Sequence, residues 1–299
     1  MTTMTAAAKV HRRQQDYIDA IIADGFDFGL TVAEAFVNSM RDLGYKSTAT
    51  ALDELIDNSL EAGAENVHVA FGYGKSQAKP EEIAVLDDGY GMLPAMIRAS
   101  VVWGGTDRED SRNLFGRYGY GLPSASISQG RRLTVYSRPD AGAFHAVDLD
   151  IDEIRSGKYM INQQFVVPES ATAQLPPWVT SYAKENFPGG PAALRTVVLW
   201  SKLDRLTWKT ATKLEVELLQ HFGLAYRNYL RQTRIVVNGK TAEPVDPLFT
   251  TPGYRFYDFG GQRANALPSL EFVVKDDSGK PAGTCRLRVS YMPPGFLSK

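Results

Sequence analysis

Three short glycine-containing segments constrain the fold of this 299-residue chain more than any other feature. They are ELIDNSLEAGA at 54–64, DDGYGM at 87–92 and GRYGYGLPSAS at 116–126. The first predicts a helix with an acid and an amide on one face. The second predicts an acidic turn at the end of a strand, and the third a glycine loop that opens a helix. Read in order, the three segments predict one shared site.

Composition limits the classes of protein to consider. The length allows one large domain or two of ordinary size, and an apolar fraction of 43% is enough for a core. A formal net charge of −1 gives no whole-chain attraction to nucleic acid, although a local basic patch stays open. The single cysteine, Cys285, excludes an intrachain disulfide and a cysteine zinc cluster. No apolar run approaches about eighteen residues, and the N-terminus lacks the apolar core of a secretory signal. We therefore predict a cytoplasmic protein that does not bind or span a membrane.

Hydrophobic periodicity and turn residues predict the elements along the chain. The predicted helices are 6–22, 31–43, 47–62, 94–102 and 121–129, with a long helix or a helix pair at 206–230. The predicted strands are 66–72, 82–86, 132–137, 143–149, 196–200, 234–237, 270–275 and 284–291. Ser47 or Thr48 should cap the third helix and Gly63 should end it. The polar stretch 107–112 has the composition of a lid. The prolines and glycines of 166–193 predict an insertion or loop with little regular structure.

The helix at 47–62 carries Glu54 and Asn58 four residues apart, so both side chains lie on one face. The amide oxygen of Asn58 suits a small hard cation such as Mg²⁺, whose remaining ligands would be phosphate oxygens and water. The carboxylate of Glu54 can accept a proton from a water molecule that attacks a phosphate. For an isolated E-x-x-x-N, a solvated helix face is the commoner explanation.

In the second segment, Asp87 ends a predicted strand, and Gly89 and Gly91 permit a tight turn with positive φ. A buried carboxylate there can accept a hydrogen bond from the exocyclic amine of adenine. Gly91 would leave room for the flat adenine ring. Taken alone, a β-turn that begins with an aspartate explains the motif better.

The third segment predicts a phosphate cradle. Gly116, Gly119 and Gly121 are followed by small residues that open a helix, where exposed backbone N–H groups favour an anion. The chain has no Walker G-x-x-x-x-G-K-[ST] motif and no complete kinase catalytic loop, so phosphate contacts would depend on the backbone. Thr196 heads a later predicted strand, and chance rarely produces all four features in this order.

These motifs resemble those of the GHKL superfamily of ATP-binding domains, which includes gyrase-type topoisomerases, large heat-shock chaperones, histidine kinases and MutL proteins, with the MORC ATPases nearby. The wording of the first and third segments is closest to MutL-like and MORC-like proteins. The resemblance implies that Glu54 is the general base, Asn58 the Mg²⁺ ligand and Asp87 the adenine-binding acid. It implies that the following residues bind the nucleotide: Asn58, Asp87, Gly89, Gly91, Met92, Gly116, Gly119, Tyr120, Gly121, Leu122 and Thr196.

The same resemblance implies an α+β fold, a Bergerat-type two-layer α/β sandwich with a mixed, largely antiparallel sheet. We expect an N-terminal helical segment at 1–30, the ATP-binding domain at 31–245 with an insertion near 166–193, and the start of a transducer-like domain at 246–299. Since no obvious closing element follows, the chain looks truncated. In gyrase-like and MutL-like relatives a transducer lysine reaches the γ-phosphate. Lys202 and Lys299 are candidates for it here by residue type alone.

The implied function is Mg-dependent ATP binding and slow hydrolysis, with a nucleotide-ordered lid that gates homodimerisation, in a machine that acts with DNA or a DNA-associated protein. One alternative is a protein kinase of the same superfamily. Typical histidine kinases replace the glutamate at the position of Glu54, which counts against that subgroup, while mitochondrial-type kinases of the same superfamily retain the acid. His11 lies in a polar segment that predicts a surface residue rather than a phosphoacceptor. The other alternative is an ATP-responsive binding module with negligible turnover. The biological client stays open.

Overall fold

The structure is a computed structural model, and it describes residues 5–23, 29–30, 41–42, 45–104, 119–161, 164–258 and 260–293. The chain divides into two compact units, one of residues 1–218 with 232–241 and the other of residues 219–231 with 242–299. Most of the helix expected at 31–43, the lid composition at 107–112, Gly116 and Lys299 lie outside the described residues.

The elements follow the predicted order closely. The helices are α1 Ala6–Ala23, α2 Thr48–Glu61, α3 Pro94–Ser100, α4 Gly121–Gln129, α5 Ile151–Arg155, α6 Pro177–Asn186 and α7 Ala211–Ala225. The strands are β1 Gly29–Leu30, β2 Asn66–Tyr73, β3 Pro80–Asp87, β4 Gly130–Ser137, β5 Phe144–Asp150, β6 Met160–Ile161, β7 Gln164–Val166, β8 Ala171–Ala173, β9 Thr196–Leu203, β10 Arg234–Val237, β11 Lys240–Thr241, β12 Asn265–Ala266, β13 Leu270–Lys275, β14 Pro281–Leu287 and β15 Ser290–Tyr291. The stretch 206–230, predicted as a long helix or a helix pair, contains the single α-helix α7, which is shorter than the predicted stretch.

An eight-stranded sheet forms the centre of the first unit, in the order β11-β10-β2-β3-β9-β4-β5-β8. Within it β10 and β2 run parallel, while the other neighbouring pairs are antiparallel. The prediction of an α+β fold with a mixed, largely antiparallel sheet is therefore confirmed.

Helix α2 begins and ends where the sequence predicts. Ser47 and Thr50 form a capping box, in which Ser47 Oγ accepts from Thr50 N at 3.2 Å and Thr50 Oγ1 accepts from Ser47 N at 3.1 Å. Gly63 follows the helix with φ +73°, a value that favours glycine. The buried face consists of Thr48, Ala49, Ala51, Leu52, Leu55, Ile56 and Ser59. This face packs on α4 and on β3, which fixes α2 beside the end of a central strand.

The opposite face of the sheet is covered by α6, and here the sequence prediction is wrong. The segment 166–193 was expected to have little regular structure, but it forms β8 and α6. Pro176 is the N-cap of α6 and Pro177 its first residue, positions that need no intrahelical N–H donor. The prolines therefore start the helix rather than prevent it. Val179 and Ala183 of α6 are fully buried in a cluster with Ala70, Ala84, Leu86, Phe144, Phe187, Leu194, Val197 and Leu199.

The second unit contains two antiparallel strand pairs, β12 with β15 and β13 with β14. Every residue of β13 and β14 is exposed. The turn between them is held by Asp276, whose Oδ1 accepts from the backbone N of Ser278 at 2.9 Å and of Lys280 at 3.0 Å. Among the helices of the described residues, none has the length and apolar character needed to cross a membrane.

Candidate functional site

Asp87 is a buried carboxylic acid at the end of a central strand. It is the last residue of β3 and is 4% exposed. Its Oδ2 accepts from Ser59 Oγ at 3.0 Å, and its Oδ1 accepts from the backbone N of Gly89 at 3.0 Å. Burial raises the pKa of Asp87 to about 7, although both hydrogen bonds oppose the shift. Asp87 can therefore change its charge near neutral pH.

Two hydroxyl groups lie near Asp87 at the ends of the neighbouring strands of the sheet. Thr196 is the register partner of Asp87 between β9 and β3, and Thr196 Oγ1 lies 3.1 Å from Ser137 Oγ at the end of β4. Ser137 Oγ also accepts from the backbone N of Met92 at 2.9 Å. The ends of β3, β9 and β4 thus bring an acid, two hydroxyls and the glycine turn together.

The glycines of the turn are required by backbone packing. Gly91 has φ +66°, and a Cβ atom on it would lie 2.8 Å from the carbonyl carbon of Arg138. A Cβ atom on Gly89 would lie 2.9 Å from Cβ of Ala62, next to the end of α2. The sequence predicts that Gly91 leaves room for a flat ring. The immediate reason for glycine here is the neighbouring backbone, and the contact with a ring stays a prediction.

Arg138 fixes the backbone on which Gly91 rests. Its guanidinium donates to the carbonyl oxygens of Leu194 and Gly142 at 2.9 Å, Pro191 at 2.8 Å and Ala192 at 3.0 Å. Its Cζ also lies 4.2 Å from the centroid of the Phe144 ring. Burial lowers the pKa of Arg138. Arg138 therefore connects the loop before Thr196 to the backbone that packs against Gly91. Its role is not among those predicted from the sequence.

Glu54 lies halfway along α2 with its carboxylate against the first residue of α4. A Cβ atom built on Gly121 would lie 3.2 Å from Cδ of Glu54. Burial is the main cause that raises the pKa of Glu54. Repulsion from Asp53 adds to the shift, and a hydrogen-bonding interaction with Tyr45 opposes it. A carboxylate with a raised pKa is a better proton acceptor near neutral pH. It stands beside a helix start, whose backbone N–H groups favour anions.

Asn58 lies one turn after Glu54 on the same face and is half-buried. Its carboxamide makes no hydrogen bond to another residue of the described part of the chain. The described residues also contain no group of three or more His, Cys, Asp or Glu side chains suited to a metal ion. The neutral amide oxygen of Asn58 suits a cation such as Mg²⁺, whose other ligands would be phosphate and water oxygens, and this role stays a prediction.

The residues around the third motif meet at the start of α4. The backbone N of Gly104 donates to the carbonyl oxygen of Gly119 at 3.2 Å, and Trp103 Nε1 donates to Ser124 Oγ at 3.0 Å. Gly119 has φ +65°, Tyr120 is 46% exposed, and Leu122 is half-buried in the first turn of α4.

Helix α2 connects the two halves of this arrangement, because Glu54 contacts Gly121 and Ser59 binds Asp87. Ser59 lies five positions after Glu54, which corresponds to about 7.5 Å along the helix axis. The structure thus places the predicted site residues on α2, at the neighbouring strand ends with the turn that follows β3, and at the start of α4, apart from Gly116, which it does not describe. The roles assigned to them stay predictions.

His11 and Lys202 both have polar partners in the structure. His11, which the sequence predicts at the surface, is half-buried, with Nε2 2.8 Å from the carbonyl oxygen of Tyr90. Lys202 is a candidate phosphate-binding lysine by residue type alone. Its Nζ pairs with Asp150 at 2.7 Å and Asp152 at 3.0 Å. It lies six residues beyond Thr196 on β9, roughly 20 Å along the strand.

The mixed eight-stranded sheet with its helices is consistent with the fold of GHKL-type ATPase domains. Residues 45–174 match the family described as "Histidine kinase-, DNA gyrase B-, and HSP90-like ATPase", so the resemblance stated from the motifs is confirmed.

Two MORC proteins are among the curated relatives. The chain is 34% identical over 97 residues to Protein MICRORCHIDIA 5 of Arabidopsis thaliana, a match that covers 31% of this chain and 14% of the relative. It is 26% identical over 181 residues to MORC family CW-type zinc finger protein 1 of Mus musculus, covering 59% of this chain and 17% of the relative. The chain therefore spans less than a fifth of the length of the relatives it matches.

Proposed function

We propose that this chain binds ATP together with Mg²⁺ and hydrolyses it slowly to ADP and phosphate. The observation that carries the proposal is the double attachment of α2, which presents Glu54 to the start of α4 and Ser59 to the buried Asp87. The proposed proton acceptor on α2 and the proposed purine-binding acid at the end of β3 thereby lie beside one another along the same helix, as a nucleotide that extends from base to phosphates requires.

The base-binding end of the site is Asp87 with its neighbours. In its ionised form, Asp87 has lone pairs beyond those that accept from Ser59 and Gly89. It can therefore accept a hydrogen bond from the exocyclic amine of adenine. The hydroxyls of Thr196 and Ser137, which are 3.1 Å apart, can hold a water molecule beside the ring.

The phosphate-binding end is the start of α4. In its first turn, the backbone N–H groups of Gly121 and Leu122 are the ones that can donate to phosphate oxygens, because Pro123 has no N–H and Ser124 N already donates to the carbonyl oxygen of Tyr120 at 3.1 Å. Asn58 would hold the Mg²⁺, which neutralises phosphate charge when bound. Glu54, against Gly121, would orient the attacking water and accept its proton at a carboxylate oxygen.

Incubation of the purified chain with γ-labelled ATP and Mg²⁺ tests the activity. We expect labelled free phosphate, a rate that falls at least about a hundredfold in Glu54→Ala, and no label on the protein. Label on the protein would instead support the kinase alternative. Equal turnover by the wild type and Glu54→Ala would support a binding module and contradict the proposed hydrolysis.

We further propose that bound ATP orders the glycine-rich segment after Gly104 and promotes a homodimer, as the GHKL resemblance implies. Sedimentation velocity with and without a non-hydrolysable ATP analogue measures this, and a monomer under both conditions contradicts it.

We propose DNA, or a protein bound to DNA, as the partner on which this ATP-binding protein acts. Fluorescence anisotropy with duplex DNA at low and moderate salt tests direct binding. A cytoplasmic location belongs to the same proposal, and the free, exposed Cys285 agrees with a reducing compartment.

A further inference from the structure

Helix α1 contacts the acidic glycine turn through polar side chains. His11 Nε2 lies 2.8 Å from the carbonyl oxygen of Tyr90, and since a carbonyl only accepts, this ring nitrogen donates. Gln14 is 7% exposed and bridges two further backbone groups of the turn. Its Nε2 lies 3.5 Å from the carbonyl oxygen of Gly91, and its Oε1 lies 3.4 Å from the backbone N of Leu93.

The buried face of α1 has a composition that simple packing does not explain. His11, Gln14 and Ile18 lie on one face by their spacing, and Ile18 is 2% exposed. A helix that docks only to cover a core presents apolar residues there. Buried polar side chains are costly unless they are hydrogen-bonded, and the partners of His11 and Gln14 are backbone groups of residues 90–93.

The rest of the turn is held from the opposite side. The backbone N of Tyr90 donates to the carbonyl oxygen of Ala62 at 2.8 Å, and the backbone N of Met92 donates to Ser137 Oγ at 2.9 Å. Helix α1 therefore supplies the bonds that α2 and β4 do not. Gly91 has φ +66° and no room for a side chain, so a shift of its backbone would change the shape of the turn beside Asp87.

We propose that His11 and Gln14 are positioning residues that hold the turn 88–93 in the shape that binds the nucleotide base. They lie outside the residues matched to the ATPase family, which begin at residue 45. The inference rests on the proposed function and assigns these two side chains to base affinity rather than to the hydrolytic step, because their contacts are with the turn and not with Glu54.

Three variants and one matched control separate this role from simple packing. Gln14→Met keeps the length of the side chain and removes both hydrogen bonds, and His11→Leu removes the ring donor. His11→Gln restores a donor near the position of Nε2. The control is Gln15→Met on the exposed face of the same helix, where Gln15 Nε2 bonds to Asp19 at 2.9 Å.

We expect KM for ATP to rise about tenfold in Gln14→Met and in His11→Leu, with kcat unchanged, the size expected for the loss of a buried hydrogen bond. His11→Gln should return KM to within about twofold of the wild type, and Gln15→Met should not change it. Amide hydrogen exchange without nucleotide should be faster at residues 88–93 in Gln14→Met than in Gln15→Met.

The outcomes distinguish the two levels of the proposal. If the wild type binds and hydrolyses ATP but KM and the exchange of 88–93 are unchanged in Gln14→Met and His11→Leu, the positioning role is wrong and the proposed function stands. If the variants lose activity only in proportion to a loss of folded protein, the role is structural and the inference is likewise overturned. If the wild type itself binds no adenine nucleotide, the proposed function fails first.

Discussion

Ser59 of α2 donates its hydroxyl hydrogen to Oδ2 of Asp87 at the end of β3 over a distance of 3.0 Å. This contact joins the helix of the first motif to the acid of the second. The hydroxyl also lies 3.0 Å from the carbonyl oxygen of Leu55, so its single hydrogen is shared between two acceptors. Because the same helix carries Glu54, its placement sets both ends of the site.

Replacement of Ser59 by alanine should destabilise the nucleotide-free protein. The variant leaves one oxygen of a buried carboxylate with one donor fewer, which costs about 1–3 kcal/mol in the free energy of unfolding. Urea denaturation at pH 8 measures this. Ser100→Ala is a matched control, because within the described part of the chain the Ser100 hydroxyl bonds only the carbonyl oxygen of Ile97, at 2.8 Å. Equal losses in the two variants would show that Ser59 does not support Asp87.

ATP affinity should depend on pH through Asp87. Its pKa is raised to about 7 in the free protein, and the adenine amine binds the ionised form, so bound nucleotide lowers this pKa. Affinity should therefore be constant well above pH 7 and fall by up to about tenfold per pH unit below it. Calorimetric titrations at pH 8 and pH 6 measure the difference. In Asp87→Asn the dependence should vanish, and its persistence there would assign the titration to another group.

Glu54→Gln should retain ATP binding and lose hydrolysis. The amide keeps the size of the side chain but cannot accept a proton from water, which lowers the rate by roughly 10² to 10⁴-fold. Phosphate release and nucleotide binding are measured on the same preparation. Glu65→Gln, at an exposed glutamate just after α2, is the control and should keep both properties. A Glu54→Gln rate within a few fold of the wild type would exclude the general-base role.

Gly91→Ala should destabilise the protein more than a glycine substitution without neighbours. Gly91 and Gly157 have φ values of +66° and +77°, and a Cβ atom on Gly157 would meet nothing within 4 Å. Both variants lose about 1–2 kcal/mol for the left-handed conformation. Gly91→Ala should lose a further ~1–3 kcal/mol, because its Cβ would overlap the backbone of Arg138. Chemical denaturation of the two variants compares these losses, and similar values would contradict the packing account.

Local signals in the sequence predicted much of the fold. Ser47 and Gly63 marked the ends of α2 through their capping chemistry. The acid of DDGYGM was expected at the end of a strand, and Asp87 is the last residue of β3. These features depend on neighbouring residues, so a single sequence contains them.

Contacts between distant segments were not predictable in the same way. Arg138 binds carbonyl groups more than fifty residues later in the chain, and nothing in its own neighbourhood indicates those partners. The pairing of Ser137 with Thr196 follows only once β4 and β9 are known to be neighbours. For α1 a signal existed, since His11 and Gln14 share a helical face with the apolar Ile18. The prolines of α6 were misinterpreted because a proline at a helix start and a proline in a loop look alike in isolation.

Equilibrium titration of the wild type and of Asp87→Ala with a labelled, non-hydrolysable ATP analogue and Mg²⁺ tests the central claim most directly. We predict saturable binding of one nucleotide per chain by the wild type. In folded Asp87→Ala the affinity should be weaker by about 1–3 kcal/mol, because the adenine amine loses its buried acceptor. No saturable binding by the wild type, or equal affinity in both proteins, would contradict the assignment of this site to ATP.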